Sequence, residues 1–169
     1  DDGLTMDGNK PTVGVGDKVT YEITPTMPSY PEGSKNKTFF VTDKMSAGLT
    51  FLYETLTVSI AGQTVTAETD NTGITRFVLG GNTIATAVKV ENGFYLDFDY
   101  DKLISDKTTQ AVYTPVVTYQ AVLNDKAVVG GNGNPNDAKM YYANKPNEGN
   151  TFHMDPENPS KPDGSTGGV

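Results

Sequence analysis

Apolar residues alternate with polar ones along most of the chain. In "VTYEIT" (19–24), Val19, Tyr21 and Ile23 stand against Thr20, Glu22 and Thr24. "KTFFVTD" (37–43) is β-branched and aromatic, and "LTVSIAGQTVTAE" (56–68) reads as two short strands around Ala61-Gly62. "TRFVLG", "TAVKVENGFYLDFDY", "AVYTPVVTYQAVL" and "AKMYYAN" continue the pattern as far as Asn144. Period-two alternation marks half-buried strands. Short runs broken by Gly, Pro and Asn clusters predict an all-β fold, a sandwich or barrel of antiparallel strands. "YDKLISDKT" (100–108) could hold one helical turn, and a loop or short 3₁₀ piece is expected there.

Two regions lack this pattern. "PTMPSYPEGSKNK" (25–37) carries three prolines and reads as a long exposed connection. The tail after residue 150 is rich in Pro, Gly, Asp and Ser, too polar to offset its ordering entropy. We therefore expect one domain over residues 1–150 and a linker, or the start of a next domain, over 151–169. The abrupt ends read as those of a piece of something longer.

Composition narrows the function. The 169 residues include 13 Lys+Arg and 21 Asp+Glu, a net charge of −8. That balance argues against a nucleic-acid partner or an anionic membrane surface. No apolar run approaches the ~18 residues a membrane span needs, and no signal-peptide pattern is present. The chain has no cysteine, so disulfides and thiol catalysis are excluded. One histidine, His153, lies in the tail, which offers neither a zinc set nor a rigid triad. No enzyme and no cofactor is expected. Asp97, Asp99 and Asp101 would share one strand face. A calcium site is one reading; the preferred one is a solvated face opposite Leu96, Phe98 and Tyr100.

A different chemistry is open to two other residues. Asp43 follows Phe39 and Val41 at even spacing, so it shares their core-facing side at the strand end. A carboxyl group there is desolvated, and burial favours its protonated form. By the same counting Asn144 shares a face with Met140 and Tyr142. A protonated acid beside a buried amide polarises the carbonyl, and a dry lysine could attack it and release ammonia. The residues alone also allow a cap for Asp43 and a turn for Asn144.

"VGVGDKVTYEITPTMPSYP", "FFVTDKMSAGLTF" and "VVTYQAVLNDKAVVGGNGNPNDAKMYYANKP" occur in that order and at that spacing. Together they resemble the D2-type isopeptide-forming domain of Gram-positive sortase-assembled pilins, from about Val13 to Pro146. The resemblance implies an immunoglobulin-like β-sandwich of the collagen-adhesin (CnaA-like) type. It implies Asp43 as the acid that promotes the bond and Asn144 as acceptor, with Asn136 as a fallback. Ala143 and Met140 stand where the family often has Ser and Leu, and neither touches the chemistry. The family's donor lysine lies on a first strand, expected here just before residue 1. Lys10 is the in-chain candidate, whereas Lys18 should be solvated and Lys44 should point away.

The function so implied is structural. It is a module of a pilus or wall-attached surface adhesin, outside the cell, with neighbouring pilin subunits, sortase and a host receptor or matrix protein as partners. A ligand-binding adhesin domain, with contacts in the 25–37 and 129–137 loops, and a calcium-stabilised spacer are the alternatives.

Overall fold

The computed structural model describes residues 4–7, 10–127, 136–153 and 164–166, with 4–13, 137 and 165–166 described by backbone alone. In chain order the strands are β1 (Leu4–Asp7), β2 (Lys10–Val13), β3 (Lys18–Ile23), β4 (Phe39–Met45), β5 (Leu49–Ile60), β6 (Gln63–Thr64), β7 (Thr66–Thr69), β8 (Ile74–Leu79), β9 (Asn82–Val90) and β10 (Gly93–Phe98). A single α-helical turn, α1 (Tyr100–Leu103), follows, in place of the loop or 3₁₀ piece expected from the sequence. The remaining strands are β11 (Ile104–Asp106), β12 (Ala111–Val112), β13 (Val116–Leu123), β14 (Asn136–Tyr142) and β15 (Gly164–Thr166).

Two sheets form the sandwich. One runs β15-β14-β4-β10-β9-β8-β7, the other β3-β13-β5-β6, and the pairings within them are antiparallel. The alternation of the sequence builds the layer between them. On β4, Phe39, Val41, Asp43 and Met45 are buried on one side. On β13, Val117, Tyr119, Ala121 and Leu123 face them from the opposite sheet as part of one core cluster.

The hairpins follow from turn chemistry. Ala61-Gly62 has φ of 51° and 77°, and Gly80-Gly81 has 57° and 80°. Two consecutive left-handed residues match the right-handed twist of the strands they join. The segment after Ala61-Gly62 splits between the sheets: β6 pairs with β5, while β7 pairs with β8.

β5 changes phase midway. Leu49 and Phe51 are buried at odd positions, then Leu56, Val58 and Ile60 at even ones. A register shift causes this: Thr118 pairs with Thr57 but Gln120 pairs with Leu52. The Thr55 hydroxyl fills the gap, accepting from the Gln120 N–H (2.8 Å) and donating to the Leu52 carbonyl (2.6 Å). Such a bulge turns the following side chains to the other face.

The 25–37 connection is exposed along much of its length, as its prolines imply, but is anchored in the core by Tyr30. Tyr30 is 2% exposed; its hydroxyl donates to the Thr38 carbonyl (2.5 Å) and accepts from the Ala143 N–H (2.7 Å). Tyr100 lies edge-on to it and donates to the Pro28 carbonyl. Part of the tail also lies on the sandwich. Phe152 packs on Phe40 beside Tyr95 and Tyr141 on the outer face of the larger sheet, and β15 pairs with β14. Residues 154–163, and most of the 129–137 loop, lie outside the described residues.

Candidate functional site

The site is built where the end of β4 meets the start of β14. Asp43 is 1% exposed and lies opposite Ala138 on β14 and Phe94 on β10. Asn136 pairs with Met45, one step diagonal from Asp43 and on the same face. From the other sheet, Tyr119 donates its hydroxyl to Asp43 Oδ2. The Asn136 Nδ2 donates to the same hydroxyl at 3.5 Å, while its Oδ1 is buried with no hydrogen-bond partner. Carboxyl, phenol and primary amide are thus joined through one oxygen.

Aromatic rings surround the phenol of this cluster. Tyr119 is fully buried. It stacks on Tyr21 (5.5 Å between ring centres) and meets Phe94 (4.8 Å) and Phe51 (5.9 Å) edge-on. Burial, then the neighbouring Asp43, pushes the Tyr119 phenol far above its ordinary range, so it stays a neutral O–H donor. The Tyr21 phenol is raised for the same two reasons. Backbone contact fixes Asp43 as well: a methyl carbon on Gly93 would overlap its carbonyl oxygen.

The residues picked out in the sequence are not all brought together. Asp43 takes the predicted core-facing position. Asn144 lies six residues along from Ala138, the residue opposite Asp43, which is about 20 Å of extended chain. Its side chain is exposed and packs against Gly164 at the β15 edge. The structure does not bring Asn144 to Asp43; it brings Asn136. Tyr119, which the sequence analysis did not single out, joins them. Its signal was parity, because Val117, Tyr119 and Ala121 alternate inward on a strand that must face the one bearing Asp43.

Among the lysines, Lys10 opens β2, where its backbone pairs with Asp7, rather than sitting in a loop. Its side chain lies outside the described residues. Lys18 and Lys44 are exposed, as expected.

The aspartate row divides. Leu96, Phe98 and Tyr100 are buried, as the strand-face reading requires. Asp101 pairs with Lys37 (2.6 Å), and Asp99 is exposed just before α1. Asp97 is half-buried and meets His153 Nδ1, so the histidine pins the tail to the sheet. Among the described residues no three acidic, histidine or cysteine groups gather as metal ligands do, and no helix is long and apolar enough to cross a membrane.

An antiparallel immunoglobulin-like sandwich with a carboxyl, a phenol and an amide meeting between its sheets is the class of domain that the fold and site define. The family model described as Gram-positive pilin backbone subunit 2, Cna-B-like domain, matches residues 15–146, and the chain belongs to this family. It is 40% identical over 165 residues to the trypsin-resistant surface T6 protein of Streptococcus pyogenes serotype M6, covering 97% of this chain and 28% of that protein. Among solved structures it resembles the T6 backbone pilin of the same serotype, with TM-score 0.77, 39% identity, and coverage of 98% of this chain and 32% of that one. It also resembles the pilus backbone RrgB of Streptococcus pneumoniae, with TM-score 0.55, 30% identity, and coverage of 81% and 27%. The chain spans less than a third of the length of each of these relatives.

Proposed function

We propose that this chain is one domain of a pilus backbone subunit, displayed outside a Gram-positive cell, and that it cross-links itself once through Asn136. It would join neighbouring pilin subunits in a wall-attached shaft assembled by sortase, with any host receptor contacted by the assembled fibre. The observation that carries the cross-link is the meeting of buried Asp43 and partly buried Asn136 at the Tyr119 hydroxyl.

The chemistry balances without oxidant or cofactor. We take the donor to be Lys10, which opens a strand rather than a loop, in place of the lysine expected before residue 1: its neutral amine attacks Asn136 Cγ. The Asp43 carboxyl, buried where the neutral acid is favoured, would hydrogen-bond the amide carbonyl in its protonated form and polarise it. The Nζ–Cγ bond forms, the Cγ–Nδ2 bond breaks, and Nδ2 leaves as ammonia with a proton from the amine. Proximity and dryness replace a catalyst. A bond from the N-terminal hairpin to β14 would carry load covalently and suppress opening at the chain end, the weak part of most domains.

Intact mass tests this. The folded chain is expected to weigh one ammonia less than its sequence, and Asp43→Ala and Asn136→Ala should each restore the full mass. Asn144→Ala should leave the loss in place. If Asn144→Ala abolishes the loss and Asn136→Ala does not, the acceptor is assigned wrongly.

A further inference from the structure

The cross-link needs an acid, an amide and an amine, and Tyr119 is none of these. Yet it is the group through which the first two meet. Its hydroxyl donates to Asp43 Oδ2 and accepts from Asn136 Nδ2. We propose that Tyr119 is a positioning residue for the cross-link, setting which oxygen of Asp43 carries the proton and which end of the Asn136 amide faces the incoming amine. This inference rests on the cross-link reading above.

The geometry gives the reason. A protonated carboxyl has one carbonyl oxygen and one O–H. Because the phenol donates to Oδ2, Oδ2 is the carbonyl oxygen of a neutral Asp43 carboxyl and the acid proton belongs on Oδ1. On the amide, the contact with Nδ2 turns that nitrogen toward the phenol. The carbonyl Oδ1 is left as the buried acceptor lacking a partner. The amide oxygen is therefore the atom that the acid can polarise, and the nitrogen is already hydrogen-bonded as the group that will leave. Three rings pack against the fully buried Tyr119 and hold its hydroxyl in place. A hydroxyl so fixed arranges both partners before the amine arrives, where misplacement by even about 1 Å costs orders of magnitude in rate.

The test needs a chain that has never folded, since a closed bond cannot be reopened for timing. The 169-residue chain is assembled from synthetic segments in denaturant and folded by dilution into buffers from acid to alkaline. Ammonia loss is followed by intact mass. Tyr119→Phe keeps the ring and removes the hydroxyl. It should slow closure at least tenfold at every pH while circular dichroism shows the wild-type fold. Because a phenol donating to Asp43 favours the carboxylate, its removal should also move the alkaline fall in rate to higher pH, a shift that a packing role would not produce. A second chain carries 3-fluorotyrosine at position 119, a stronger donor in an unaltered core, and its alkaline fall should move to lower pH.

The outcomes separate. Wild-type chain that keeps its full mass, or links through Asn144, overturns the cross-link reading and this inference with it. Wild-type chain that links through Asn136 while both altered chains close at its rate and with its pH profile overturns the role of Tyr119 alone. If the phenylalanine chain does not fold, the fluorotyrosine profile decides, an unmoved alkaline limb counting against the role.

Discussion

Gly93 on β10 lies against the backbone of Asp43 on β4, with no room for a side chain between them. A methyl carbon there would overlap the Asp43 carbonyl oxygen and come within 3.0 Å of Lys44 Cα. The obstacle is backbone, which cannot rotate aside. Gly93→Ala should therefore force the two strands apart at the acid and destabilise the fold by about 1–3 kcal/mol, the usual range for overpacking. Urea unfolding measures this. A midpoint unchanged from wild type would mean the strands yield freely and the acid is not clamped from this side.

Asn92 does comparable work from a turn. Its Oδ1 accepts from the Phe51 N–H (3.0 Å), and its Nδ2 donates to the carbonyls of Leu49 (2.8 Å), Ser46 (3.2 Å) and Met45 (3.3 Å). It thereby ties the β9–β10 turn to the connection between β4 and β5, across the two sheets. Its φ of 49° is one that asparagine tolerates. Asn92→Gly keeps that backbone and removes the bonds, and should cost about 2–3 kcal/mol. Asn92→Ala removes both and should cost about 1 kcal/mol more. Thermal unfolding of the pair separates the terms; a glycine variant as stable as wild type would leave the side-chain bonds contributing nothing.

Asp97 should give a pH dependence opposite to that of a paired surface carboxylate. Burial raises its carboxyl above the ordinary value, outweighing the opposing pull of His153 and Tyr95, and Asp99 adds to the rise. A raised folded-state value means that the folded chain favours the neutral acid. Its contribution is complete below the unfolded value, near about 4, and is lost as pH climbs through the higher folded value. Asp97→Asn has no charge to bury. The stability of the variant relative to wild type should therefore increase from about pH 4 toward neutrality. Urea midpoints at stepped pH check the sign. A gap that is flat, or that favours wild type increasingly, would show the His153 contact outweighing burial.

Much of this fold is legible from alternation alone. β4, β13 and β14 bury the side their period-two pattern assigns, because a strand between a core and solvent has no other low-energy choice. The phase change in β5 is not legible, since it depends on Thr55 filling a gap opposite Gln120, a tertiary arrangement. Nor is the burial of Tyr30 in a proline-rich connection: its partners Thr38 and Ala143 are 8 and 113 residues away. The seating of Phe152 and His153 on the sheet is hidden in the same way by a polar tail.

The choice between Asn136 and Asn144 shows where such reading stops. Both have the parity of Ala138, so parity admits both. Register decides, and register belongs to the pair of strands. In an antiparallel pair the end of one strand lies beside the start of the other, so an acid near the end of β4 faces the beginning of β14. That rule favours Asn136.

The central claim is that the fold closes one bond onto Asn136 under the acid Asp43. Intact mass followed by fragment mapping of the protease-digested chain tests it most directly. The expected result is a deficit of one ammonia, carried by a branched peptide joining Lys10 to Asn136, and its disappearance in Asp43→Ala. A chain at its full sequence mass, or a branched peptide ending on Asn144, would contradict it.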